Sequence, residues 1–277
     1  MFRTIIIGCD GTEREARAIA LALQLRDPHV GRLVLVDATF MFHLRSPVSP
    51  EVLLGRAEAN VPFGIPCERR RLVGLSTGAA INDLAETIGA DLIVLGGAGH
   101  DPVHGLATAV AAGNLVHGAP CAVAVAARGL YPPFAASSYL AVAYDGSPEA
   151  DAALESAYGI AETTGAGVRL CLAIEFEADR ERAGRDALAA AAARAPEGIE
   201  VEQRLLIGPP AQEVSGAALD CNLLITGSRG HGAGHRVLVG STSAGLVRDG
   251  RTPLLVIPRA LVSDAARPGR PLAGMAR

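Results

Sequence analysis

Short apolar runs alternate with helical patterns along most of the chain. In the second half, apolar runs predict strands near residues 139–144, 167–174, 200–207, 222–227 and 253–257. Helical periodicity and helix-start residues predict helices near 148–164, 179–194, 210–219 and 242–250. Runs such as LLIT and LLVI are apolar without strict alternation, which is typical of strands buried on both faces. The pattern therefore predicts an α/β fold, with a parallel sheet and helices on both of its faces.

The chain repeats its own pattern. Three pairs of segments match in the same order: IIIGCDGT (5–12) with LAVAYDGS (140–147), DLIVLGGAGH (91–100) with NLLITGSRGH (222–231), and APCAVAV (119–125) with TPLLVIP (252–258). A repeat of this length indicates a duplicated domain rather than a solenoid of short units. We therefore expect two tandem domains, each a five-stranded parallel sheet, and a flexible tail; their ranges are 1–127, 139–259 and 260–277.

Composition and charge narrow the classes of function. Hydrophobic residues make up 49% of the chain and charged residues 19%, which excludes disorder of the whole chain. The net charge is -4, whereas a nucleic-acid binder usually carries an excess of basic residues, so we expect no nucleic-acid partner. Neither a signal peptide nor an apolar stretch of membrane-spanning length is evident, so we expect a cytoplasmic protein with no membrane partner. The five cysteines form no C-x-x-C pair, and we expect them to be reduced thiols.

The most informative segment joins a predicted strand to a predicted helix. It has the pattern G-x2-G-x9-G-S, from Gly227 through Gly230 to Gly240 and Ser241. Glycines let the backbone approach a ligand closely, and successive N–H groups of such a loop form an anion site. The helix start adds unpaired N–H groups, and the hydroxyls of Ser241 and Ser243 are expected to donate to phosphate oxygens. A glycine-rich connection without a ligand is the alternative.

Asp145 ends the first strand of the second half and is expected to face the same crevice. Because Asp-Gly-Ser is also good turn chemistry, Asp145 either faces a ligand or only caps the turn. His231 and His235 stand four residues apart in the loop, and with no third ligand nearby we favour surface or phosphate-adjacent histidines over a metal site. Thr12-x-x-Glu15 is a predicted capping box at the matching place in the first half.

Asp145-Gly-Ser at a strand end, the glycine loop and the strand after Pro253 together resemble the universal stress protein family. The two halves resemble a tandem member of that family and cover nearly the whole chain. The resemblance implies a Rossmann-like, adenine-nucleotide α-hydrolase-like fold whose final strands, near 119–125 and 252–257, meet at the domain interface. We expect two separate sheets rather than one continuous sheet of ten strands.

The resemblance also implies a ligand. Members of one branch of the family bind ATP, with a divalent metal such as Mg²⁺ on the phosphates, and members of another branch do not. By position, Ala143 and Asp145 would lie near the ribose and phosphates, and Ala173 and Ile174 would flank the adenine. The candidate nucleotide-binding residues are Ala143, Asp145, Ala173, Ile174, Gly227, Ser228, Arg229, Gly230, Gly240, Ser241, Thr242 and Ser243.

The expected function is to bind an adenine nucleotide as a regulatory ligand in stress response or signalling. The sequence has no P-loop Gly-Lys-Ser/Thr and no H-E-x-x-H, so we expect at most a slow ATPase. The alternative is an interaction module that forms a homodimer and binds a partner without nucleotide. An enzyme of the wider nucleotide-binding group would need a further domain for its acceptor substrate.

The first half keeps only part of the loop pattern. Aligned without gaps from Gly99, it places Ala109 and Val110 opposite Gly240 and Ser241. These changes add a Cβ where the backbone must approach phosphate and remove a hydroxyl donor. We therefore predict at most one nucleotide per chain, in the second half. Two alternatives are a smaller, uncharged ligand in the first half and an alignment that is shifted near Gly105 and Gly113.

Overall fold

The computed structural model describes most of both halves. The described residues are 1–37, 49–72, 77–97, 119–128, 133–135, 138–175, 177–228 and 241–258. The predicted tail at 260–277 and residues 229–240 of the glycine loop lie outside them, as do Ala109 and Val110.

Ten strands make up the described sheet. They are β1 (Thr4–Cys9), β2 (Arg32–Asp37), β3 (Cys67–Arg70), β4 (Leu92–Leu95), β5 (Ala122–Val125), β6 (Tyr139–Ala143), β7 (Gly167–Ile174), β8 (Val201–Ile207), β9 (Leu223–Gly227) and β10 (Leu254–Ile257). Their spatial order is β3-β2-β1-β4-β5-β10-β9-β6-β7-β8. Neighbours within each half are parallel, and both halves follow the same order of strands. The predicted α/β class, with five parallel strands in each half, is confirmed.

The two five-stranded sheets are joined into one. β5 pairs with β10 in antiparallel orientation, with Ala124 opposite Leu255. The prediction that the final strands meet is confirmed, but the prediction of two separate sheets is wrong, because the described strands form a continuous sheet of ten. The last strand of each half is a buried apolar edge whose unpaired N–H and C=O groups need partners. Pairing the two edges satisfies both.

Seven helices cover the two faces of the sheet in the described part of the chain. They are α1 (Glu13–Leu25), α2 (Pro50–Glu58), α3 (Thr77–Ile88), α4 (Pro148–Thr164), α5 (Ala178–Ala192), α6 (Pro210–Ala217) and α7 (Ser241–Asp249). One core cluster contains side chains of α1, α2, α4 and α5, and the other contains side chains of α3, α6 and α7. Among the described helices, none is long and apolar enough to span a membrane.

Side-chain caps set the helix starts that follow β1 and β6. The Ser147 hydroxyl accepts from the Ala150 N–H at 3.2 Å, and Pro148 takes the first helical position, as predicted. The Thr12 hydroxyl caps α1 by accepting from the Arg14 N–H. The predicted capping box is altered, because the Glu15 carboxylate accepts from the Gly11 N–H rather than from that of Thr12. The Thr12 N–H is already donated to Asp10.

A buried arginine ties the outer strands of the second half to the end of α6. The Arg169 side chain, only 8% exposed, donates from Nε to Glu202 Oε2 at 2.5 Å. Its two Nη atoms donate to both carboxylate oxygens of Asp220, at 2.5 and 3.0 Å. It also lies 5.2 Å from the ring centroid of Tyr139. Bidentate pairing and the ring contact offset the cost of burying the guanidinium.

We expect Asp220→Asn to lower stability near neutral pH by about 1 kcal/mol, because Glu202 stays paired with Arg169 and the Asp220 side chain is 71% exposed. The Arg169 guanidinium holds the pKa of Asp220 below its usual range. A lowered folded-state pKa contributes stability above the unfolded pKa, about 3.9, and that stability is lost as the pH falls further. Urea unfolding at several pH values should therefore show a weaker acid dependence in Asp220→Asn. Asp186→Asn, an exposed position for which no ion pair is described, is the control and should behave as the parent protein; equal acid dependence in all three would contradict the assignment.

Candidate functional site

A cleft of about 90 Å³ lies where β6, β7 and β9 end and where α4, α6 and α7 begin. The chain runs from β6 outward through β7 to β8 and then places β9 on the other side of β6. Ligands of open α/β sheets bind at such a reversal of strand order, beyond the carboxyl ends of the strands. Six of the predicted residues line the cleft, namely Ala143, Asp145, Ala173, Gly227, Thr242 and Ser243.

Two of the predicted residues do not line this cleft. Ile174 packs against the core on the α4 and α5 face, whereas its neighbour Ala173 packs on the α6 and α7 face. Successive residues of a strand point to opposite faces, so only the Ala173 side chain is on the face of the sheet where the cleft lies. Ser228 is fully buried, and its N–H donates to the Ile257 carbonyl at 2.9 Å. Outside the description lie Arg229, Gly230, Gly240 and the side chain of Ser241.

Sequence reasoning missed the apolar wall that α6 adds to the cleft. Pro210 and Val214 line it together with Cys171 of β7. No motif marks these residues, since a Pro and a Val four positions apart on a helix are typical of any core-facing surface. Burial raises the pKa of the Cys171 thiol to about 12, so the thiol stays protonated and serves as packing surface rather than as a nucleophile.

The Asp145 carboxylate organises the turn between β6 and α4. Its Oδ1 accepts from the Ser147 N–H at 3.0 Å and from the Ser147 hydroxyl at 2.5 Å. Asp10 and Thr12 make the same two hydrogen bonds in the first half. Asp145 therefore has the turn role, and it also lines the cleft. The two readings of this residue are compatible.

Gly227 is required by the packing of β9 against α4. A Cβ atom at this position would lie 2.5 Å from the carbonyl carbon and oxygen of Glu149. Gly96 stands at the matching place in the first half, where a Cβ would lie 2.7 Å from Cβ of Arg14. The first glycine of the loop motif thus allows a strand end and a helix start to touch, which is a reason independent of any ligand.

Ser243 ties α7 to β9. Its side chain is buried, and its hydroxyl donates to the Gly227 carbonyl at 3.1 Å. The hydroxyl hydrogen is therefore already used, which differs from the expected role as a phosphate donor. Thr242, the preceding residue, lines the cleft and is partly exposed.

The matching strand end and helix start of the first half carry a different charge pattern. Arg14 stands in the position that Glu149 holds in the second half. Arg14 Nη2 donates to Asp10 Oδ2 at 2.9 Å, and its side chain is only 12% exposed. In the second half, Asp145 and Glu149 both line the cleft. The acidic residue at the strand end thus pairs with an arginine of the next helix in the first half and stands beside a second carboxylate in the second.

Metal-ligating side chains do not gather into a site in the part of the chain that the structure describes. No group of three or more His, Cys, Asp or Glu side chains there has the arrangement to hold a metal ion. The loop histidines considered above, His231 and His235, lie outside the described residues.

Comparison with known families decides the identity of the fold. The model of the universal stress protein family matches residues 1–127 and 140–258. The chain belongs to the universal stress protein family. A universal stress protein of Thermus aquaticus is 33% identical over 133 residues, which cover 44% of this chain and 97% of that protein.

Solved universal stress proteins share the whole tandem fold. A protein from Archaeoglobus fulgidus covers 92% of this chain and 96% of its own, at 18% identity and a TM-score of 0.64. A putative universal stress protein from Pseudomonas aeruginosa covers 95% of this chain and 96% of its own, at 18% identity and a TM-score of 0.65. At these identities the similarity establishes the fold and not the ligand.

Substituting Gly227 with Ala tests the packing role of this universal stress protein glycine. The added Cβ would overlap the backbone of Glu149, so we expect a loss of about 2 kcal/mol in the free energy of unfolding. Gly159→Ala is the matched control, because Gly159 lies inside α4 with nothing within 4 Å of an added Cβ. It should be neutral or stabilising by up to about 1 kcal/mol. Urea unfolding of both variants measures the difference, and equal stability of the two would refute the packing role.

Proposed function

We propose that the second half of this universal stress protein binds an adenine nucleotide, ATP, as a regulatory ligand in stress response or signalling in the cytoplasm. The observation that carries the proposal is the convergence of six predicted residues on one cleft, from β6 and the turn after it, from β7 and β9, and from α7. That cleft lies where the strand order reverses, which is the usual ligand position in such sheets.

The loop pattern and the cleft belong to the same connection. β9 ends at Gly227 and α7 begins at Ser241, so residues 228–240 join the strand end to the helix start beside the cleft. A helix start supplies N–H groups and a positive dipole end, both of which favour phosphate. The loop glycines Gly230 and Gly240 would let its backbone approach the phosphates closely.

The size and lining of the cleft suggest which part of a nucleotide would lie inside it. Pockets that enclose a ligand of drug size usually measure about 300–1,000 Å³, so a cleft of about 90 Å³ would receive only one part of ATP. The apolar wall of Pro210, Val214 and Cys171, with the adjacent Ala173, suits the flat face of adenine. The phosphates would then extend towards the start of α7, where Thr242 lines the cleft.

The donors in the cleft are compatible with a magnesium-bound nucleotide. Mg²⁺ in nucleotide sites is commonly held by the phosphates, by waters and by one or two carboxylates. Asp145 and Glu149 are carboxylates that line the cleft. When bound, the ion would offset the charge of the phosphates beside these two residues.

Binding rather than turnover is the expected activity. Cys171 is a buried thiol with a raised pKa, and Ser243 is committed to the Gly227 carbonyl. Neither is therefore poised as a nucleophile. Any hydrolysis of ATP should be slow, with the nucleotide acting as a regulatory ligand.

Replacing Gly230 with Asp should abolish ATP binding and leave the fold intact. The new carboxylate would repel the phosphates, and its Cβ would obstruct the approach of the backbone. Gly78→Asp is the matched control: it adds the same charge in the first half, where nothing lies within 4 Å of an added Cβ. Calorimetric titration with ATP and Mg²⁺ should show a heat of binding for the parent and for Gly78→Asp only.

Two results would count against the proposal. Unchanged affinity in Gly230→Asp would place the nucleotide elsewhere, and a parent protein that binds no ATP would favour the interaction module that works without nucleotide. The thermal midpoint of each variant, measured in the absence of ATP, separates loss of binding from loss of fold.

A further inference from the structure

A second depression lies between α6 and α7, on a different side of these helices from the cleft. Its volume is about 490 Å³, which is within the range of pockets for small molecules. Arg128, from the segment that follows β5, lines it together with Arg248 and Arg251. The remaining lining residues are Ala211, Gln212, Gly245 and Asp249. We call this surface the arginine groove.

The charges of the arginine groove are unbalanced. Arg251 Nε donates to both carboxylate oxygens of Asp249, at 3.0 and 2.9 Å, so these two side chains offset each other. No ion pair is described for Arg128 or Arg248 within the ranges that the structure covers. The groove therefore carries a local surplus of two positive charges on a chain whose net charge is -4. A local surplus of this kind attracts anions whatever the sign of the whole protein.

Arg128 is held in a fixed position in the groove. Its backbone N–H donates to the Gly250 carbonyl at 2.9 Å, and its Nη2 donates to the Arg248 carbonyl at 2.9 Å. Its Nε is buried and has no hydrogen-bond partner among the described residues. A guanidinium has five N–H donors, and most of those of Arg128 are left for another acceptor. The Nη donors that the Arg248 carbonyl does not use are the ones that an anionic oxygen in the groove would satisfy.

We propose that the arginine groove binds a small phosphate-bearing anion at a site distinct from the nucleotide cleft. Guanidinium groups bind phosphate through paired N–H donors, and the two that line the groove without a described ion pair are those of Arg128 and Arg248. The two helices that form the groove pack closely, since a Cβ on Gly245 would lie 2.7 Å from Cβ of Ala211. The site is therefore a built feature of the α6–α7 pair.

Inorganic pyrophosphate is the probe for this site. Calorimetric titration of the full chain should detect its binding, and Arg248→Ser should weaken that binding by about tenfold or more. This substitution keeps the Arg248 carbonyl that accepts from Arg128, so the fold should be unaffected. Arg180→Ser is the matched control, because Arg180 is an exposed arginine of α5 outside the groove. This variant should bind pyrophosphate with the affinity of the parent.

Titration of Gly230→Asp separates the groove from the cleft. Pyrophosphate binding should survive in Gly230→Asp and be weakened in Arg248→Ser, whereas ATP binding should show the reverse pattern. The inference is overturned if the parent does not bind pyrophosphate, if Arg180→Ser weakens binding as much as Arg248→Ser, or if Gly230→Asp abolishes it. The comparison of Arg248→Ser with Arg180→Ser uses pyrophosphate and no ATP, so it tests the groove whether or not ATP binds in the cleft.

Discussion

The antiparallel pairing of β5 with β10 is the constraint on which the architecture depends. Each half is a parallel sheet that ends in a short apolar strand, Ala122–Val125 or Leu254–Ile257, and all of these residues are buried. Such an edge leaves backbone donors and acceptors unpaired when it stands alone. Because the pairing is antiparallel, the strands of one half run in the opposite direction to those of the other. The carboxyl ends of the strands therefore lie on opposite sides of the joined sheet in the two halves. The strand ends of the two halves therefore cannot form one shared ligand site, and each depends on its own residues.

The residues at the end of the first strand and at the start of the next helix differ between the two halves, although the folds of the halves match. Both halves begin with a strand that ends in Asp-Gly-Thr/Ser, and both use the aspartate to organise the following turn. The second residue of the next helix is Arg14 in one half and Glu149 in the other. In the first half the arginine pairs with Asp10. In the second half the matching carboxylates line a cleft. This difference, together with the loop sequence, is the reason why we propose a ligand for the second half only.

The sequence predicts the elements well because their signals are local. Ser147 and Pro148 mark the start of α4, and apolar runs mark the buried strands within a few residues of their observed bounds. It does not predict contacts that depend on how elements meet. The overlap of a Gly227 side chain with Glu149, the use of the Ser243 hydroxyl by Gly227 and the wall added by Val214 are all contacts between distant segments. The hydrogen-bonded pairing of β5 with β10, which joins the two sheets into one, is also a contact between distant segments and was not predicted.

The stoichiometry of ATP tests the central claim most directly. Titration of the magnesium-loaded protein by calorimetry, with native mass spectrometry of the complex, counts the nucleotides bound per chain. The account predicts one ATP per chain, with the nucleotide beside Thr242 in a crystal structure of the complex. Two nucleotides per chain, or a single one beside Arg14 in the first half, would contradict it.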